Sequence, residues 1–233
     1  MTRYLWYLCL LFPCSQGLTQ EVYRVNKINS PIELTGKGDD PKWEQAESLT
    51  DFVYPWNADM APSTEFRAVW DQTAIYFLYI AQDSEIIIKE GSENKEMDVV
   101  HSDRVEIFFK ADDEMNPYYS LEMDAVGRLF DSEGRMYRQI DAEWDWPEGH
   151  ITLASWKNKK EYRLEGTITL ESLRKLGLYK DDHKLKAGLY RGEYTSQPNR
   201  KPKVQWISWV RPNSDKPDFH IPSSFGILRL VQE

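Results

Sequence analysis

A charged pair within one predicted strand, Arg104 and Glu106, is the first feature of this sequence that could do chemistry. Residues 102–109 alternate polar and apolar side chains with a period of two, which predicts a half-buried β-strand. Arg104, Glu106 and Phe108 share one face of that strand. The opposite, apolar face consists of Val105, Ile107 and Phe109. Because an unpaired buried charge is costly, the first face is either solvated or forms a polar groove that holds a ligand.

Further carboxylates follow on the next predicted strand, where Glu122 and Asp124 share a face with Ser120. Glycosidases use two carboxyl groups held at a fixed separation across the bond that is cleaved. Glu106 with Glu122 or Asp124 is therefore the candidate catalytic pair. The alternative, in an acidic protein, is a solvated polar face with no catalytic role.

Aromatic residues make up 13% of the chain and include nine tryptophans. Indole rings stack on the apolar C–H faces of sugars, while carboxylates, amides and guanidinium groups bond the hydroxyls. Trp70 and Trp206 lie among strand residues, and we expect them in the core. Trp56, Trp144 and Trp146 lie beside proline and polar residues, which favours loops and makes them candidates for ligand contact.

Other kinds of site have little support in the sequence. His101 and His220 lie far apart, and no zinc, phosphate-loop, dinucleotide or serine-hydrolase motif is present. Asp112 and Asp113 could hold a structural calcium ion, or simply form a solvated loop. A haem held non-covalently by Met123 and His101 is a further alternative, since the covalent haem motif is absent. We expect no cofactor beyond that calcium ion.

The elements that must position these residues are mostly short strands. Strand signals recur from residue 66 onward, separated by turns that contain glycine, proline or polar residues. Only residues 170–177 have helical spacing, with leucines three residues apart and a terminal glycine. The sequence therefore predicts an all-β, antiparallel sandwich of the immunoglobulin or jelly-roll kind, with one short connecting helix. Alternating strands also argue against a parallel sheet.

Residues 1–17 have the features of a secretory signal peptide. Arg3 supplies a positive charge, residues 4–12 are apolar, and small residues precede a predicted cleavage point after Gly17. A buried N-terminal helix is the alternative. We expect a secreted or periplasmic protein whose mature chain, residues 18–233, forms one domain.

The cysteine content and the net charge limit which covalent links and which binding partners we expect for the mature protein. Cys9 and Cys14 both lie in the signal segment, so the mature chain would have no disulfide, and lipid anchoring at Cys14 is a minority alternative. The net charge is −9 without a basic patch, which argues against nucleic acid. No later apolar run reaches the roughly 20 residues needed to span a bilayer.

Five segments together resemble the family 9-like carbohydrate-binding modules, most closely the secreted single-domain versions typical of Bacteroidetes. The resemblance covers roughly residues 30–231. The matching segments, in order, are YPWN (54–57), RAVWD (67–71), SDRVEIFF (102–109), YYSLEMDAVG (118–127) and residues 209–226, which end in PDFHIPSSFG.

The resemblance implies a β-sandwich that binds oligo- or polysaccharides without cleaving them. Related modules clamp a sugar at a chain end between two tryptophans. Glu106 matches a ligand-contacting glutamate, Phe219 takes the place of one clamp tryptophan, and Val100 takes the place of the other. The family's ligand-binding arginine near Ser120 is absent, and Trp56 or Trp209 could replace the missing clamp ring. The expected ligand-binding residues are Glu106, Phe219, Trp56, Arg104, Glu122, Trp209 and His220.

The expected function is non-catalytic carbohydrate binding, in extracytoplasmic recognition or breakdown of polysaccharides. A glycoside hydrolase or accessory enzyme is the first alternative, and a haem-binding sandwich is the second.

Overall fold

The computed structural model describes residues 20–232, which form twelve strands, two short α-helices and two 3-10 turns. The strands are β1 (Val22–Lys27), β2 (Thr64–Trp70), β3 (Ala74–Gln82), β4 (Arg104–Lys110), β5 (Tyr118–Asp124), β6 (Leu129–Arg135), β7 (Gln139–Asp141), β8 (Ile151–Lys157), β9 (Glu161–Thr169), β10 (Lys184–Gln197), β11 (Arg200–Ser208) and β12 (Gly226–Leu230). The helices are α1 (Lys95–Val100) and α2 (Leu170–Lys175), and the 3-10 turns are Pro41–Gln45 and Pro222–Ser224.

The strands form one curled sheet in the order β7-β6-β5-β4-β10-β12-β1-β2-β3-β9-β8, with β11 paired to β10. Strand β1 joins the two halves, and it runs parallel to both β12 and β2. The prediction of a purely antiparallel sheet is therefore wrong, although the β-rich fold is confirmed. The parallel pairing could not be predicted because it joins Val22 to Ile227, and local alternation carries no information about so distant a partner.

The two halves of the sheet enclose one core. Phe66 of β2 and Tyr79 of β3 come from one half, and Ile107 of β4 and Leu121 of β5 come from the other. All four side chains are at most 2% exposed. Because both halves turn their apolar faces toward this core, the sheet has the layered arrangement of a sandwich.

The two helices are connectors. Helix α2 confirms the helical prediction for residues 170–177, and the Thr169 hydroxyl caps it by accepting a hydrogen bond from the Ser172 amide. Helix α1 was not predicted because its six residues are too few to show a helical period. Asn94 caps this helix by accepting a hydrogen bond from the Glu96 amide, and its last residue, Val100, reaches the site described below.

A buried ionic network lies at the edge of the core. Arg191 is fully buried and contacts the carboxylates of Asp83 and Glu193. Burial raises the pKa of Asp103 to about 8 and that of Glu193 to about 7. The three carboxylates lie within 4.8 Å of one another, so they could in principle ligate a cation, but the guanidinium group of Arg191 already supplies positive charge there.

The predicted signal peptide and both cysteines lie outside the described residues. Within residues 20–232, neither helix has the length and apolar composition required to cross a lipid bilayer.

Candidate functional site

Strand β4 has the two faces that its sequence predicts. Val105, Ile107 and Phe109 pack in the core, while Arg104 and Glu106 lie on the opposite face. Every residue of β4 is nevertheless buried, so the polar face is covered and not solvated. Of the two alternatives left open by the alternation, the structure favours the polar groove.

Neighbouring strands place further groups beside this face. In the register of β5, Glu122 lies opposite Glu106. In the register of β10, Tyr190 lies opposite Glu106 and Gly192 lies opposite Arg104. Trp206 of β11 in turn lies opposite Gly192. Four strands, β4, β5, β10 and β11, thus bring charged and aromatic groups to a single point.

An open cavity of about 210 Å³ lies above this point. Its floor comes from β4 and β5, and its walls come from α1, β11, the β6–β7 turn and the segment before β12. The lining residues are Val100, Arg104, Glu106, Phe108, Glu122, Arg138, Trp206, Pro217, Asp218, Phe219 and His220. We call this space the central cavity.

Arg104 organises the floor of the central cavity. Its Nε atom lies 2.7 Å from Glu122 Oε2 and 2.9 Å from Glu106 Oε1, and its Nη1 atom donates to the Val100 carbonyl at 2.7 Å. The guanidinium carbon lies 5.1 Å from the centre of the Trp206 ring, within range of a cation–π interaction. One side chain therefore holds both carboxylates and one aromatic wall.

Gly192 makes the contact between Arg104 and Trp206 feasible. A Cβ atom at this position would lie 3.0 Å from Arg104 Nη1 and 3.3 Å from Trp206 Cζ3. Either approach is tighter than ordinary van der Waals contact, so a larger residue would push the guanidinium group and the indole apart.

Glu106 is only 2% exposed, and its Oε1 atom accepts no well-aligned hydrogen bond from any described residue. The nearby Nε–H of Arg104 donates to Glu122 instead. Burial and the negative charge of Glu122 raise the pKa of Glu106, against the lowering effect of Arg104. This buried oxygen is suited to accept a hydrogen bond from a ligand, because a buried polar atom without a partner is costly.

His220 contributes a neutral ring to the wall. A hydrogen bond of 2.9 Å joins its Nδ1 atom to the hydroxyl of Tyr118. Burial, with a smaller effect from Arg138, lowers the pKa of His220 to about 4. At neutral pH this histidine therefore offers hydrogen bonds without a positive charge.

Arg138 and Asp218 are lining residues that the sequence reasoning missed. Arg138 Nη2 donates to Asp218 Oδ1 at 2.9 Å, and the hydroxyl of Tyr137 donates to Asp218 Oδ2 at 2.6 Å. The pair joins segments 80 residues apart. No local pattern signals such a contact, since arginine in a turn is ordinarily solvated.

The expected site residues are largely brought together. Arg104, Glu106, Glu122, Phe219 and His220 all line the central cavity. Phe219 is 5% exposed, and its ring stacks on Tyr190 with centroids 4.0 Å apart. One face of the Phe219 ring is therefore covered by protein.

Two expected tryptophans do not line the central cavity. Trp56 lies behind it, 5.3 Å from the ring of Phe219, and donates a hydrogen bond from Nε1 to the Ser214 carbonyl. Trp209 is 7% exposed and belongs to the core cluster. Trp209 is therefore a core residue and not part of the candidate site.

The position of Trp206 differs from the core position that the sequence predicts. It was expected in the core because strand residues flank it, but it is only partly buried and lines the central cavity. Among the described strands β11 pairs with β10 alone, and its bridge to Val53 is made by Ser208, so part of the Trp206 indole can face the open cavity. Trp70 is buried in the core as expected. Trp144 and Trp146 lie on the loop between β7 and β8, as predicted, but they pack against the core and do not line the central cavity.

The residues of the alternative sites are dispersed. Asp124 accepts hydrogen bonds from Arg128 and does not line the central cavity. Met123 is buried in the core while His101 is exposed, so the structure does not bring this pair together around a haem. Asp113 lies 2.9 Å from the Lys186 amine, and calcium binding there stays a prediction.

The family is decided by a sequence match. A model of the family described as carbohydrate family 9 binding domain-like matches residues 34–233. The chain belongs to this family. The resemblance inferred from the five segments is thereby confirmed, and the prediction of a carbohydrate-binding chain is supported at the level of the family. Comparison with curated proteins finds none that matches.

Solved structures share this family 9 fold at low sequence identity. A candidate carbohydrate-binding protein from Bacteroides uniformis has 18% identity and a TM-score of 0.70 over 91% of this chain and 100% of its own. A family 9 carbohydrate-binding module from Caldicellulosiruptor kristjanssonii, in complex with cellotriose, has 16% identity and a TM-score of 0.59 over 90% of this chain and 93% of its own. The same kind of module in complex with glucose has 16% identity and a TM-score of 0.59 over 91% and 97%. These likenesses establish the fold.

Proposed function

We propose that this protein binds a carbohydrate in the central cavity and does not cleave it. The observation that carries the proposal is the carboxyl group of Glu106, which is buried on the cavity floor with an oxygen that lacks an aligned hydrogen bond from the described chain. A sugar hydroxyl can donate to this oxygen. Membership of the family and the sugar complexes of the Caldicellulosiruptor modules support the same ligand class.

The remaining lining groups suit a sugar ring. Trp206, which is only partly buried, offers aromatic surface for the C–H faces of the ring, while Arg104 and His220 offer polar groups for its hydroxyls. The volume of about 210 Å³ is below the roughly 300–1,000 Å³ of pockets for drug-sized ligands. We therefore propose that one sugar unit occupies the central cavity while the rest of the chain lies outside it.

Binding is favoured over hydrolysis by the placement of the two carboxylates. Glu106 and Glu122 both lie within 3 Å of the same nitrogen of Arg104. Glycosidase carboxyl groups flank the bond that breaks, one on each side of it. Two carboxylates clustered on one guanidinium group on the cavity floor approach a ligand from the same side.

We also propose that the protein acts outside the cytoplasm, in the recognition of polysaccharides. The N-terminal signal features and the family support this location. Sequencing the N-terminus of the protein recovered from periplasm or medium tests it, with residue 18 expected as the first residue and an intact residue 1 contradicting it.

The test of the proposed function is a glycan array probed with this protein and with Glu106→Ala. We expect binding to a defined group of glycans, a loss of about ten-fold or more in affinity for Glu106→Ala, and no release of reducing sugar. Glu90→Ala is the matched control, because it makes the same truncation at an exposed glutamate that does not line the central cavity. The proposal fails if no glycan binds, or if Glu106→Ala binds as well as the original protein.

A further inference from the structure

A second groove adjoins the central cavity. It has a volume of about 210 Å³, and it shares Trp206 and Pro217 with the central cavity as common walls. The remaining lining residues are Trp56, Asn57, Lys203, Val204 and Gln205. We call it the Trp56 groove. Because the two spaces share two lining residues, two linked sugar units could occupy them together.

The Trp56 groove has the parts of a sugar subsite. The indole of Trp56 is held in place by its hydrogen bond to the Ser214 carbonyl, at 2.9 Å, and by its packing on Phe219. A ring fixed in this way binds a ligand without losing side-chain freedom. The amides of Asn57 and Gln205 can donate and accept hydrogen bonds beside it.

The charge of the Trp56 groove differs from that of the central cavity. In the central cavity, Arg104 and Arg138 each contact a carboxylate. Among the described residues that line the Trp56 groove, Lys203 is the only charged one, and no described carboxylate lies within ion-pair distance of it. Its cross-strand neighbour on β10 is Thr195, which is uncharged.

Local charge determines which ligands this groove favours. The protein carries a net charge of −9, but salt at physiological strength screens charges that lie more than about 8 Å apart in solvent. Arg200 and Lys201 lie on the same strand as Lys203, so this end of β11 is positive. A ligand in the Trp56 groove therefore lies beside Lys203, and the carboxylate of Glu193, which lies opposite Gln205 on β10, is already paired with Arg191.

We infer that the Trp56 groove binds an anionic sugar unit, carboxylated or sulfated, that is linked to the unit in the central cavity. This inference rests on the proposed function. It adds that the preferred polysaccharide is acidic, with Lys203 pairing to its charged group and Trp56 packing on its ring.

The test uses oligosaccharides in matched pairs. One arm compares uronic acid oligosaccharides with their carboxyl-reduced forms, and the other compares sulfated oligosaccharides with their desulfated forms. We expect the acidic member of a pair in one arm to bind about three-fold or more tightly, as for a solvent-accessible ion pair, and the preference to fall with added salt. Lys203→Gln should abolish the preference. Lys201→Gln, which removes the same charge from the same strand outside the groove, should keep it.

The possible results distinguish a failure of this inference from a failure of the proposed function on which it rests. Equal binding of acidic and neutral members in both arms, or a preference that survives Lys203→Gln, would overturn the inference and leave carbohydrate binding standing. If no member of any pair binds, the inference is wrong, and the proposed function is wrong as well only if no glycan on the array binds.

Discussion

Replacing Glu106 with glutamine should remove a pH dependence from the stability of this protein. Burial and the neighbouring charge of Glu122 raise the pKa of Glu106 from 4.5 to about 8 in the folded chain. Between these two values the unfolded chain has lost a proton that the folded chain keeps. The free energy of unfolding therefore decreases as the pH rises through this window, and the contribution of Glu106 is fully present only below pH 4.5.

The size of this effect follows from the proton balance. One group that titrates differently in the two states changes the free energy of unfolding by up to about 1.4 kcal/mol per pH unit. Between pH 5 and pH 7, Glu106 thus contributes a loss of about 2–3 kcal/mol. Glutamine has nearly the same shape and does not titrate, so Glu106→Gln should lose correspondingly less over this range.

The assay is urea unfolding at pH 5, 6 and 7, followed by tryptophan fluorescence. Asp103 and Glu193 also have raised pKa values, but they are present in both proteins, so the difference between the two slopes isolates Glu106. Glu90→Gln, on the exposed surface, should keep the slope of the original protein. If Glu106→Gln and the original protein have the same slope, Glu106 ionises equally in both states and the reasoning about its burial is refuted.

Three further substitutions have definite expected results. Arg191→Met leaves two buried carboxylates without their cation and should lower the free energy of unfolding at pH 7 by about 3 kcal/mol; an unchanged urea midpoint would contradict this. The folded state lowers the pKa of His220 to about 4, so the free energy of unfolding should decrease as the pH falls from 6.5 toward 4. In urea unfolding, His220→Phe should reduce this decrease by up to about 1.4 kcal/mol per pH unit. Trp206→Ala should weaken glycan binding in calorimetry by about ten-fold, whereas Trp156→Ala on β8 should not, and equal effects would argue against a wall role for Trp206.

Features that depend only on residues close together in the chain could be predicted from the sequence. The two faces of β4 follow from alternation with period two, and the α2 helix follows from leucines three residues apart and a terminal glycine. Both predictions depend on residues within one turn or one strand. The parallel strand β1 escaped prediction because its partners lie elsewhere in the chain.

The candidate site was predictable only in part, for the same reason. Glu106 and Arg104 could be predicted as site residues from the sequence, because they are charged residues within an otherwise apolar strand. Arg138 and Asp218 could not, because they meet only after segments 80 residues apart come together. Trp206 was misplaced because strand-like neighbours do not reveal that β11 pairs with a single other strand and leaves part of its tryptophan open to the cavity.

The most direct test of carbohydrate binding in the central cavity is the NMR signal of the Trp206 indole N–H during titration with a glycan that binds. The account predicts a saturable shift of this signal, assigned through Trp206→Phe, while the signals of Trp70 and Trp209 in the core stay in place. A glycan that binds tightly without moving the Trp206 signal would contradict the account, because its site would then lie elsewhere on the protein.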